Sequence, residues 1–150
     1  MNSTTPDQVV KERIVVGVDG SQASTDALQW AARQATLTGA HLQAVTAWQF
    51  PMASSGYLLN VEDDWHPNAQ ALLDKAIDNA DLPEGLSISR HAIEGHPARV
   101  LVEAATGAQL LVIGSRGHGG FTGMLLGSVS VHAVAHAPCP VLVLRHQPHG

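Results

Sequence analysis

The 150-residue chain has a single cysteine, six aromatic residues and few charges. Lys, Arg, Asp and Glu make up 14% of it, against a usual ~25%. A lone Cys139 excludes an internal disulfide and fits a reducing compartment. Aliphatic runs stop at about five residues, too short for a membrane-spanning helix. Residues 1–12 are polar and include Pro6, unlike a secretory signal, so a cytoplasmic location is expected. With 13 acids against 8 bases the formal charge is −5, which argues against a broad basic face for nucleic acid or an anionic membrane. One absence is local: residues 109–150 contain no acid at all, only Arg116, Arg145 and five of the nine histidines. Any anion site is expected in that segment.

The length suits one domain, taken as residues 1–150 with a core of about 12–146, and suffices for a real hydrophobic interior. Short β-branched runs alternate with longer helical patterns, the mark of an α/β parallel sheet wrapped by helices. Ile14–Val18 is apolar throughout, as a strand buried on both faces should be. Asp19-Gly20-Ser21 closes it and can cap a helix over 22–38, with Ala27, Leu28, Ala31, Ala35 and Leu37 as its inner stripe and Gly39 as its stop. His41–Ala47 reads as the second strand. Residues 49–64 read as a loop ending in the solvated acidic run Glu62-Asp63-Asp64, before a helical pattern from Trp65 to Ile77. A strand over 86–92, a helix after Pro97 and strands at 110–113 and 140–144 complete the order.

The segment from Gly114 to Pro138 carries the chemistry. It reads Gly114-Ser-Arg-Gly117, nine residues, then Gly127-Ser128 opening a helix to Ala137. Glycines let a backbone approach a ligand closely. A glycine turn after a strand, followed by a helix start, presents N–H groups and the positive end of a helix dipole to an anion. This spacing therefore points to a phosphate cradle. Other phosphate motifs fail: no Gly-x4-Gly-Lys-Ser/Thr occurs, and the dinucleotide fingerprint breaks at Thr122. A weak echo relates Val15–Gly20 to Val112–Gly117, two strands each ending in Gly-x-x-Gly at the ligand-binding end of an open sheet.

The Gly-x2-Gly-x9-Gly-Ser spacing, the strand-ending Val18-Asp19 and the closing Pro138-Cys139-Pro140-Val141-Leu142-Val143 together resemble the universal stress protein family, in its ATP-binding branch. The resemblance covers residues 12–146. It implies a Rossmann-like, adenine nucleotide alpha hydrolase-like fold of three α/β/α layers, with five parallel strands in the order 3-2-1-4-5. It implies a homodimer with two nucleotide sites and no established catalytic chemistry. It assigns Val18 and Asp19 to the ribose neighbourhood, the backbone of Ala47 to adenine and Ile113 to the sugar and base. Gly114, Arg116, Gly117, Gly127, Ser128, Val129 and Ser130 would surround ribose and phosphates, with Mg2+ carried by the phosphates of ATP. Asp19 can equally cap the next helix, and His118 can help neutralise phosphate when protonated.

Other constellations are weaker. His132 and His136 stand four apart, a spacing able to grip a metal, but no glutamate separates them and no third ligand is evident, so exposed helix positions are expected. No Gly-x-Ser-x-Gly elbow exists, and Cys139 between two prolines reads as a packing residue. Arg33, Arg90 and Arg99 are scattered, without an aromatic platform for nucleic acid. A cyclic AMP or other adenylate module remains an alternative, as does a weak ATPase or phosphotransferase. The latter would need Asp19 or His118 as base, neither with a visible orienting partner. The apolar 140–144 strand would form a sheet edge that requires cover, and a homodimer through Val141, Leu142 and Val143 is expected there.

Overall fold

Alternation decides which way each residue of the first strand points. In β1 (Arg13–Gly17), Ile14 and Val16, with Val18 just beyond, face one side of the sheet, while Val15 faces the other; all four are buried. The computed structural model describes residues 12–49, 61–115 and 127–145, with the backbone alone for 61–67. Its remaining elements are α1 (Gln22–Thr38), β2 (His41–Trp48), α2 (Val61–Asn79), β3 (Ile88–Glu94), α3 (Pro97–Ala104), β4 (Leu110–Gly114), α4 (Ser128–His136) and β5 (Val141–Leu144). The five strands are all parallel, in the order β3-β2-β1-β4-β5 expected from the resemblance.

Helices α1 and α2 cover one face. Leu28, Ala31, Ala32 and Ala35 of α1 and Leu73 and Ile77 of α2 close over Ile14, Val16, Leu42, Ala44 and Val112. The alanines let α1 lie close to β1 and β4, as a parallel sheet buried on both sides requires. The opposite face holds Val15, Val45, Leu111 and Ile113 against Val100, Leu101 and Ala105 of the α3 region and Ala133 of α4. Cys139 packs half-buried against this second cluster, and burial pushes its thiol pKa up, in keeping with a packing residue.

The sequence expectations fail in three places. Leu37 is 82% exposed rather than part of the inner stripe, because ten residues at ~100° each turn it well away from Ala27. Helix α2 starts at Val61, so Glu62-Asp63-Asp64 belongs to its first turn and not to a loop. Strand β3 runs two residues later than read, at Ile88–Glu94. Of the scattered arginines, Arg90 of β3 reaches Asp74 at 3.0 Å and Asp78 at 3.2 Å on α2, and that pairing holds Asp74 below the ordinary carboxylate pKa. Arg99 pairs with Glu103 one turn along α3.

On the α3 side, the polar edge of the sheet is knit by side chains. His41 Nδ1 lies 2.6 Å from Ser87 Oγ, its Nε2 lies 2.9 Å from Ser89 Oγ, and His91 Nε2 is 3.0 Å from the same Ser89 oxygen. Nearer the centre, Arg13 donates to Gln43 Oε1 at 3.0 Å and to the carbonyls of Ala104 and Thr106, both at 2.7 Å. It thereby satisfies acceptors that the end of α3 leaves open. Arg13→Ala is expected to cost about 1–3 kcal/mol, since the half-buried Ala104 carbonyl and Gln43 Oε1 lose a charged donor. Chemical denaturation should show Arg13→Lys recovering only part of the loss, because one ammonium cannot reproduce the guanidinium fork.

Candidate functional site

In an open parallel sheet, ligands bind beyond the carboxyl ends of the strands where the strand order reverses. Here the chain winds outward from β1 through β2 to β3, and from β4 to β5 on the other side, so the reversal lies between β1 and β4. Val16 pairs with Val112, which brings Val18 and Gly114 out side by side at that end.

The turn after β1 builds one wall. Asp19 Oδ1 accepts from the Ser21 N–H at 2.8 Å, and the Asp19 N–H donates to Ser24 Oγ at 3.2 Å. Gly20 has φ 84°, a left-handed conformation that glycine adopts without strain. Ser21 is the actual N-cap of α1, accepting from the Ser24 N–H; Asp19 shapes the turn and leaves the capping to its neighbour. The Asp19 side chain stands exposed at the mouth.

Strand β2 ends higher than β1. Val45 accepts from the Val18 N–H at 2.8 Å, and backbone groups alternate sides along a strand. Two residues on, Ala47 therefore turns its N–H and C=O past the end of β1. Trp48 faces the other way, accepting from the Gly95 N–H at 2.7 Å. A strand end with one free donor–acceptor edge can read the rim of a heterocycle without using any side chain.

Helix α4 supplies the third wall. Its N-cap is Gly127, which has no side chain to offer the helix end. The first intrahelical bond runs from the Val131 N–H to the Gly127 carbonyl, so the N–H groups of Ser128, Val129 and Ser130 precede it without an acceptor one turn back. Such a terminus attracts an anion. It is fastened beside β4: the Ser130 hydroxyl donates to the carbonyls of Gly114 at 2.7 Å and Ser115 at 3.2 Å, and the Gly127 N–H donates to Ser115 O. Ser130 is 2% exposed, so its hydroxyl serves this latch while its N–H belongs to the helix end.

Gly114 has a second duty that the motif conceals. A Cβ there would lie 2.8 Å from both the carbonyl carbon and Cβ of Ala23, and 3.0 Å from the Ser24 nitrogen. Its lack of a side chain lets the first turn of α1 settle on the end of β4. Ile113 is buried in the second core cluster. The structure thus gathers Val18, Asp19, Ala47, Ile113, Gly114, Gly127, Ser128, Val129 and Ser130 at one end of the sheet; Arg116, Gly117 and His118 lie outside the described residues. Sequence reading named Asp19-Gly20-Ser21 as the turn and cap but missed Ser24, whose signal was present in the Asp-Gly-Ser-x-x-Ser order.

The universal stress protein family model matches residues 11–145, nearly the whole chain. The chain belongs to this family. A universal stress protein of Mycobacterium tuberculosis is 38% identical over 133 residues, covering 88% of this chain and 45% of that protein. One from Mycolicibacterium smegmatis is 34% identical over 136 residues, with 88% and 45% covered. The chain therefore spans about half the length of the curated relatives it matches. Among solved structures, a universal stress protein from Lactobacillus plantarum shares the fold with a TM-score of 0.74 at 23% identity, over 89% of this chain and 97% of that one. Another, solved in complex with cAMP, has a TM-score of 0.69 at 31% identity, over 91% and 98%.

In this universal stress protein domain, Gly114→Ala is expected to destabilise the ligand-free chain by about 1–3 kcal/mol, because the new methyl meets α1 backbone. Thermal unfolding without nucleotide checks it. An unchanged midpoint would mean that α1 can shift away freely.

Proposed function

We propose that the chain binds an adenine nucleotide across the carboxyl ends of β1, β2 and β4, and acts as a nucleotide-responsive, cytoplasmic stress protein. The observation that carries this is the α4 start: three N–H groups without an intrahelical acceptor, capped by a glycine and pinned beside Gly114, at the strand reversal. Adenine lies along the free backbone edge of Ala47. The ribose lies by Val18 and Ile113, near the Asp19 carboxylate, which has a second oxygen available besides the one that holds the Ser21 N–H. The phosphates meet Gly127, Ser128, Val129 and Ser130, with Arg116, Gly117 and His118 supplied by the intervening loop.

ATP is the favoured nucleotide, because a long phosphate tail makes use of a glycine-rich loop as well as a helix end. Mg2+ then enters on the phosphates. Among the described residues no three His, Cys, Asp or Glu side chains cluster as a metal cage, and a phosphate-borne Mg2+ needs few protein ligands. A cyclic AMP reading is favoured by the relative solved with that ligand. The acid-free stretch around the loop suits either anion. No described side chain is oriented as a base toward a phosphate, so binding rather than turnover is proposed.

Calorimetry with ATP and Mg2+ tests the site. Gly127 has φ −75°, so Gly127→Ala keeps an ordinary backbone while placing a methyl among the N–H groups. A loss of tenfold or more, about 1.4 kcal/mol, is expected. Binding equal to the parent would place the phosphates elsewhere. Cyclic AMP in the same titration separates the two ligands, and native mass spectrometry of freshly purified protein reads any nucleotide carried over.

The proposed assembly is a homodimer through β5, centred on Val141, Leu142 and Val143. All four residues of this apolar edge strand are half-exposed in the single chain, which leaves an unpaired row of backbone groups. Sedimentation at tens of micromolar should show a dimer. Monomer alone at that concentration rules the β5 contact out.

A further inference from the structure

The outer face of α4 carries a pair of imidazoles that neither the nucleotide site nor the core uses. His132 and His136 are one turn apart and both exposed, and their ring centroids lie 4.4 Å from each other at an interplanar angle of 43°. Side chains four apart on a helix share a face. Every other residue of the helix, Ser128-Val-Ser-Val-His-Ala-Val-Ala-His136, is uncharged. No carboxylate on this element competes for either ring.

We infer that His132 and His136 chelate one borderline divalent cation of the zinc, nickel or copper kind on the outer face of α4. Imidazole nitrogens are the preferred ligands for these ions, at about 2.0–2.1 Å for zinc. Two nitrogens at that range from one ion stand roughly 3–3.5 Å apart. Rings already adjacent one turn apart meet that requirement by side-chain rotation, with water completing the coordination.

The position adds to the chemistry. His136 is in the last turn of α4, where the carbonyl ends of the helix favour positive charge. Carboxylate-loving ions such as Mg2+ or Ca2+ gain nothing here, because the pair offers no oxygen. Cys139, three residues on, is turned into the second core cluster with its Sγ donating to Pro140 O at 3.4 Å, so it is committed elsewhere. The site is independent of the nucleotide reading, since neither histidine belongs to the β1–β4 crevice.

Titration of the full chain with ZnCl2 near neutral pH, read by calorimetry and by histidine ring resonances, tests the assignment. One saturable equivalent in the micromolar range is expected, shifting His132 and His136 together. His132→Ala and His136→Ala should each weaken that equivalent tenfold or more, because one imidazole cannot chelate. Cys139→Ser should bind as the parent does. ATP titration of the same variants serves as the fold control and should match the parent. If either single variant keeps the parent's zinc affinity, or if other histidines shift first, the pair is not the site. Failure of ATP binding in the parent would overturn the nucleotide proposal and leave this one standing.

Discussion

The architecture turns on one close approach, that of the end of β4 to the first turn of α1. Gly114 sits within 3.0 Å, measured from where its Cβ would be, of the backbone of Ala23 and Ser24. Because no side chain intervenes, α1 lies down across β1 and β4 and fills the first core with small residues. The same strand end receives the α4 latch through Ser130. Three elements that contact a ligand in the proposed reading, the β1–α1 turn, the β4 terminus and the α4 start, are therefore one packed unit. Their mutual positions are set by core packing before any ligand arrives, which lowers the ordering cost of binding.

Much of this was legible from residues alone, for a definite reason. Strands β1 and β4 are buried on both faces, so their composition is uniformly apolar and unmistakable. Helix α1 is bounded by a serine cap and a glycine stop, both local signals. Strand β3 was misplaced by two residues because, as an outer strand, it is half-exposed and its apolar signal is diluted by Ser89, Arg90 and His91. Arg13 was invisible as a structural residue: its carbonyl partners lie 91 and 93 positions away, and backbone acceptors carry no sequence signature. The glycines announced a close approach, but not whether the neighbour was a ligand or a helix. At Gly114 the described neighbour is α1; at Gly127 it is the open helix end.

Charge tells a parallel story. The net −5 describes a chain whose acids all lie before residue 109, several of them in local structural pairs such as Asp74 and Asp78 with Arg90. Helix α4 and strand β5 contain no acid or Lys/Arg, and that stretch provides both the helix start of the proposed anion site and the apolar edge. A phosphate can be held by oriented N–H groups rather than by lysines, so a charge-poor surface and the proposed anion site are compatible.

The hydrogen bond from the Gly127 N–H to the Ser115 carbonyl has a further consequence. It brings the two ends of the glycine-rich segment together at a single point on the β4 terminus. A segment that leaves and returns at one place does not transmit its own length to the sheet. The entropy of closing it grows only slowly with size, by about 0.6 kcal/mol per doubling. In the proposed nucleotide reading, the length between these two anchors can change without moving β4 or α4, so ligand preference can diverge within a fold that stays the same.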